Sequence, residues 1–170
     1  KIADLYFYGK EVPQSYETAL KYYRIAANYS EAFLALDKKA YCLIELGKEE
    51  EALETAYLSK ERWGDNYTIV PLIRAYLLLK EYSNDPEVIE DFENCDRYIK
   101  SSVLEAYDDF EEWEECNDIV TLQDYERKIV HLACVEAQKF DFRKNVITKA
   151  LAKDYCEGFI FEKDLQKAIQ

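Results

Sequence analysis

Apolar residues recur every three or four positions along most of this chain, in short runs that stop at a turn and start again. The first cycle spans Ile2 to Phe33. Ala3, Leu5, Tyr6 and Tyr8 predict a helix too short to be stable alone. Gly9 follows, a residue type that ends helices by taking φ > 0. Pro13 drives Val12 into an extended approach. Ser15 then caps a second helix, unless Pro13 and Gln14 already form its first turn. Along that helix Tyr16, Ala19, Leu20, Tyr23 and Ala27 make one apolar face. Ala19, Ala26 and Ala27 are small enough to let a neighbouring helix come close. A lone hairpin of this size cannot bury such a face, so the pattern demands stacked copies of itself.

The copies follow downstream. Leu36, Ala40, Leu43 and Ile44 predict a helix that ends at Gly47. Glu50, Ala52, Leu53, Ala56 and Tyr57 mark its partner, and Gly64-Asp65-Asn66 breaks the chain. Pro71 to Tyr82 repeats the shape of Asp37 to Lys48, with Ala75-Tyr76 standing on Ala40-Tyr41. Ser83 to Pro86 is a cap-and-proline start for a helix reaching about Lys100. That helix is expected to carry Val88, Ile89, Phe92, Cys95 and Ile99 inward. Ser101 and Ser102 can cap the next unit, where Ala106-Tyr107 repeats the alanine–tyrosine pair. A helix from about Leu122 to Lys139 completes it, with Tyr125, Ile129, Leu132, Ala133 and Glu136 at helical spacing. The end of the chain returns to the beginning. Tyr155, Gly158, Asp164, Ala168 and Ile169 stand 149 residues after Tyr6, Gly9, Ser15, Ala19 and Leu20.

The opening stretch resembles a Sel-one-like repeat, a relative of the tetratricopeptide repeat. The residues that carry the resemblance are Leu5, Tyr6, Gly9, Val12, Pro13, Gln14, Tyr16, Ala19, Leu20, Tyr23, Ala26, Ala27 and Ala32. Ala3, Glu11, Ser15, Tyr22 and Ser30 depart from the family pattern, and Glu11 replaces a loop glycine. The second unit is similar to an ordinary tetratricopeptide unit at Ala40, Leu43, Gly47 and Ala52. The resemblance implies an all-α, right-handed α/α superhelical solenoid of about five helix-turn-helix repeats. The units are expected at about 1–32, 33–66, 67–100, 101–140 and 141–170. The anchor alanines Ala3, Ala40, Ala75, Ala106 and Ala152 lie 37, 35, 31 and 46 residues apart. The array opens and closes inside a unit, so it is expected to continue at both ends.

Composition narrows the function classes. Net charge is −13, which argues against nucleic acid, whose phosphates call for Lys and Arg clusters. It favours basic partners, although acidic residues also serve simply as a solvated exterior. No apolar run approaches the roughly 18 residues of a membrane span. Five cysteines, odd in number and without a CxxC pair, argue for free thiols and a reducing, cytoplasmic compartment. Some Sel-one-like proteins carry a disulfide in each repeat, and that spacing is missing here.

The resemblance also places candidate partner-binding positions. The inner wall of such an array is lined by the first helix of each unit, which here implies Asp4, Phe7, Asp37, Tyr41, Ile44, Tyr76 and Leu79. Tyr41 and Tyr76 serve equally well as packing between units. Asp37 and Tyr41 stand where capture of a carboxylate tail would need Lys, Arg or Asn, so a carboxylate clamp is not expected. A second candidate is the acidic–aromatic run from Glu105 to Asp118. Its Tyr107, Phe110 and Trp113 either grip a basic peptide or form the packed stripe of an ordinary helix.

His131, the one histidine, reads as a helix-face residue, and scattered cysteines do not complete a zinc site around it. The pairs Asp108/Glu112 and Glu111/Glu115 are spacings that helices produce freely. No phosphate-binding loop, dinucleotide fingerprint or nucleophile elbow occurs. The expected function is therefore non-enzymatic, a scaffold or adaptor for a protein or peptide, with no cofactor. The competing readings are an enzyme with a carboxylate site in the groove, and a structural spacer.

Overall fold

The computed structural model describes residues 1–29, 33–64, 69–81, 86–94, 122–139, 147–148 and 151–152. Among them the fold is all-α. The helices are α1 (Ile2–Tyr8), α2 (Tyr16–Ala26), α3 (Phe33–Glu45), α4 (Glu49–Trp63), α5 (Val70–Glu81), α6 (Pro86–Asn94) and α7 (Asp124–Ala137). From α1 to α6 each helix packs against the next in sequence. α3 also touches α5, and α7 lies along α5. This neighbour-to-neighbour packing is consistent with a helical repeat.

Local chemistry ends and starts the helices. Gly9 takes φ 67°, and the Lys10 N–H reaches back to the Leu5 carbonyl at 3.1 Å. Gly47 does the same at φ 68°, with Lys48 N–H on Leu43 O at 2.8 Å and its own N–H on Ile44 O at 2.9 Å. Both are left-handed caps that satisfy carbonyls a helix end leaves bare. Ser15 is the N-cap of α2, its Oγ accepting from Thr18 N–H at 3.2 Å. The Pro13-Gln14 alternative is thereby decided against. Gln14 instead pins the loop to α1, its Nε2 donating to the Phe7 carbonyl at 2.8 Å. Glu11 stands in the left-handed region at φ 66°, a backbone shape that favours glycine.

The hairpin alanines do what their size predicts. Ala3, Ala40 and Ala75 are buried, as are Ala19, Ala52 and Ala56 on the second helices. Ala152 is half-buried, and Ala106 lies outside the described residues. Ile147 and Leu151 join the same core as α1 to α7. On α4 the inward positions are Ala52, Thr55, Ala56 and Ser59, while Glu50 and Tyr57 face water.

Two features depart from the periodicity. On α6, Val88 and Phe92 point inward as expected, but Ile89 is 46 % exposed. Asp91 goes in instead, because Arg74 of α5 waits there. The two form an ion pair with both side chains fully buried. Cys95 and Ile99 lie outside the described residues. The second departure is α5, which is buried on every side from Val70 to Leu79. A helix apolar all round needs cover all round. α3, α4, α6 and α7 all pack against it.

Candidate partner-binding face

α1, α3 and α5 are the first helices of three successive pairs, and they bring most of the candidate positions to one face. Phe7 is its centre. Its ring meets Tyr8, Tyr16, Tyr23 and Tyr41 edge-on, at centroid distances of 4.9, 5.9, 5.9 and 5.5 Å. Such edge-to-face contacts add roughly 0.5–1.5 kcal/mol each beyond the area they bury.

The face is not open. Phe7, Asp37, Tyr41, Tyr76 and Leu79 are buried, and Asp4 and Ile44 are half-buried. α7 covers Phe7 and Tyr41. Tyr125 inserts its ring edge-on against Phe7 at 5.4 Å and Tyr41 at 5.5 Å. Lys128 pairs with Glu45 of α3 at 2.6 Å and lies 5.8 Å from the Tyr41 ring centre. Gln123, the N-cap of α7, accepts from the Tyr8 hydroxyl. Farther along, Ile129, Val130, His131, Ala133, Cys134 and Ala137 are buried on the same helix, and Glu136 approaches Tyr76 of α5. Spacing alone pairs α7 with a helix in the stretch before it, which lies outside the described residues. The physical reason for its position is the apolar demand of α5 and of the Phe7 and Tyr41 rings.

Electrostatics divides the face in two. Asp4 accepts from Lys38 and from the Tyr23 hydroxyl, each at 2.8 Å. Partial burial opposes its charge, but these donors hold its carboxyl down at about 2. Asp37, next to Lys38 on α3, is 1 % exposed, and its Oδ1 has no hydrogen-bond partner. Burial, and then the charge of Glu126 on α7, push its carboxyl up to about 8, with Lys38 opposing. Lys38 is bonded to Asp4, and Asp37 Oδ1 takes no hydrogen bond from it. Glu126 accepts from the Gln123 N–H at 2.8 Å and so completes the capping box of α7. Burial raises the phenols of Tyr41 and Tyr125, with Glu45 and Glu126 adding to it respectively. Both tyrosines therefore act as neutral wedges.

Burial and then Glu45 push the Cys42 thiol up to about 12, which leaves it a small apolar residue. Among the described residues no group of three His, Cys, Asp or Glu is placed to hold a metal ion. No described helix is long and apolar enough to cross a membrane. Tyr107, Phe110 and Trp113, with the whole run from Glu105 to Asp118, lie outside the described residues. Sequence reasoning missed Gln123, Lys128 and the role of Tyr125. The signal was the apolar stretch on either side of Arg74 in α5, from Val70 to Leu79, which needed cover from more than its neighbours in sequence.

The chain matches no protein-family model, no curated protein and no solved structure at a significant level.

Proposed function

We propose that this chain is a Sel-one-like or tetratricopeptide-like array, wound as a right-handed superhelical solenoid, and a non-enzymatic scaffold for a protein or peptide. The partner-binding positions are those of the α1–α3–α5 face: Asp4, Phe7, Asp37, Tyr41, Ile44 and Tyr76. One observation supports this reading above others: the face already holds an amphipathic helix, by an aromatic wedge and an ion pair. Aromatic anchors in a water-free centre with charged pairs around them are how peptide-binding grooves gain affinity. The net charge of −13 favours a basic partner. Cys42 and Cys134, both buried and outside any disulfide, suit a reducing compartment.

The test is affinity capture by the whole chain, followed by identification of bound proteins and repetition with Tyr41→Ala. A protein held by the native chain and lost from the variant is the expected result. If no captured protein distinguishes the two, the face is not a binding site.

A further inference from the structure

We infer that α7 is a displaceable occupant of the α1–α3–α5 face, and that the segment replacing it is a basic amphipathic helix with Lys or Arg where α7 has Glu126. The inference rests on the scaffold reading and names the partner's chemistry.

The contacts of α7 are good at three points and bad at a fourth. Tyr125 fits between Phe7 and Tyr41, Lys128 pairs with Glu45, and Gln123 meets Tyr8. At the fourth point lies Asp37, a buried carboxyl with one oxygen unpartnered, whose ionisation the charge of Glu126 opposes. A carboxyl buried near a carboxylate keeps its proton, and an unmet buried acceptor costs free energy. α7 keeps Glu126 for its own sake, since that side chain caps the helix start. A partner helix that begins a turn earlier has no N–H there to cap. It is free to carry a cation, which would pair with Asp37 and let it ionise in place. A segment with an aromatic, a cation one residue later and a second cation two residues after that satisfies all the anchors seen here. Its positive charge also suits the acidity of the chain.

The probes are two labelled peptides spanning residues 122–139, one native and one with Glu126→Lys. They are titrated against the whole chain carrying Tyr125→Ala and Lys128→Ala. Those changes weaken the tethered α7, which otherwise competes at an effective concentration of order millimolar. The Glu126→Lys peptide is expected to bind about tenfold tighter, equivalent to about 1.4 kcal/mol. The gain should vanish when Asp37→Asn is added to the chain. Equal affinities, or a gain that survives Asp37→Asn, overturn the inference. Should the double variant not fold, the unaltered chain decides. There the Glu126→Lys peptide should speed alkylation of Cys134, buried on α7, several-fold more than the native peptide does, read by mass mapping. No acceleration overturns the inference. Tyr41-dependent capture without any peptide preference would leave the scaffold reading standing and remove this one.

Discussion

The Tyr125 ring stands at 86° to the Phe7 ring, 5.4 Å from it, so a residue late in the chain closes the aromatic cluster that the first helix begins. Tyr41 of α3 touches both rings. Three helices distant in sequence are thereby joined through side chains that are each almost wholly buried.

Phe7 should be the most costly ring to remove. It is 2 % exposed and meets five tyrosines. Phe7→Ala is expected to lower stability by roughly 3–5 kcal/mol, the range for large aromatics cut from a core. Urea unfolding followed by circular dichroism measures it. A loss under about 1 kcal/mol would mean that the cluster is not tightly packed around this ring.

The Arg74–Asp91 pair makes a second prediction. Both side chains are fully buried, so Asp91→Ala takes the paired carboxylate away from a guanidinium in the core. A cost of roughly 3–5 kcal/mol is expected. The double change Arg74→Met with Asp91→Leu should recover most of that loss, because it buries no charge. If the double variant is less stable than Asp91→Ala alone, the pair has a role beyond packing.

Asp37 should make stability fall as pH rises. Its folded carboxyl, near 8, lies above the ordinary unfolded value of about 3.9. Between those values the folded chain binds a proton that the unfolded chain has lost. The contribution is complete below about pH 4 and is lost as pH climbs toward 8, with a slope of at most about 1.4 kcal/mol per pH unit. Asp4 acts in the opposite sense and lower down. Held at about 2, it contributes stability above about pH 4 that disappears as pH drops toward 2. Asp37→Asn should therefore gain on the native chain as pH goes from 5 to 8. Unfolding curves that stay parallel over that window would refute the buried, unpaired setting of Asp37.

Glu11 offers a stabilising change. It holds φ 66°, a region that costs a residue with a side chain about 1 kcal/mol or more relative to glycine. Glu11→Gly is expected to gain about 1 kcal/mol, a rise in Tm of roughly 2–4 °C for a chain of this size. Gly9→Ala should act the other way. It combines φ 67° with a Cβ placed 3.1 Å from the Gln14 Cβ. A calorimetric scan of both variants gives the signs, and a destabilised Glu11→Gly would contradict the loop geometry.

Much of the architecture was written in short-range chemistry. The left-handed caps at Gly9 and Gly47, the Ser15 N-cap and the buried alanines Ala3, Ala40 and Ala75 follow from residue type and spacing, because each depends on neighbours within a turn or two. Where Ile89 and Asp91 point was not readable in that way. Periodicity counts apolar residues and cannot know that Arg74 lies opposite. The same limit applied to the candidate face. Local pattern put Phe7, Asp37, Tyr41 and Tyr76 on the first helices of their pairs. That α7 would cover Phe7 and Tyr41, with Tyr125 as the wedge, depended on which apolar surfaces remained uncovered once α1 to α6 had come together. Burial is a property of the assembled chain: no stretch of residues carries within itself the identity of the helix that will cover it.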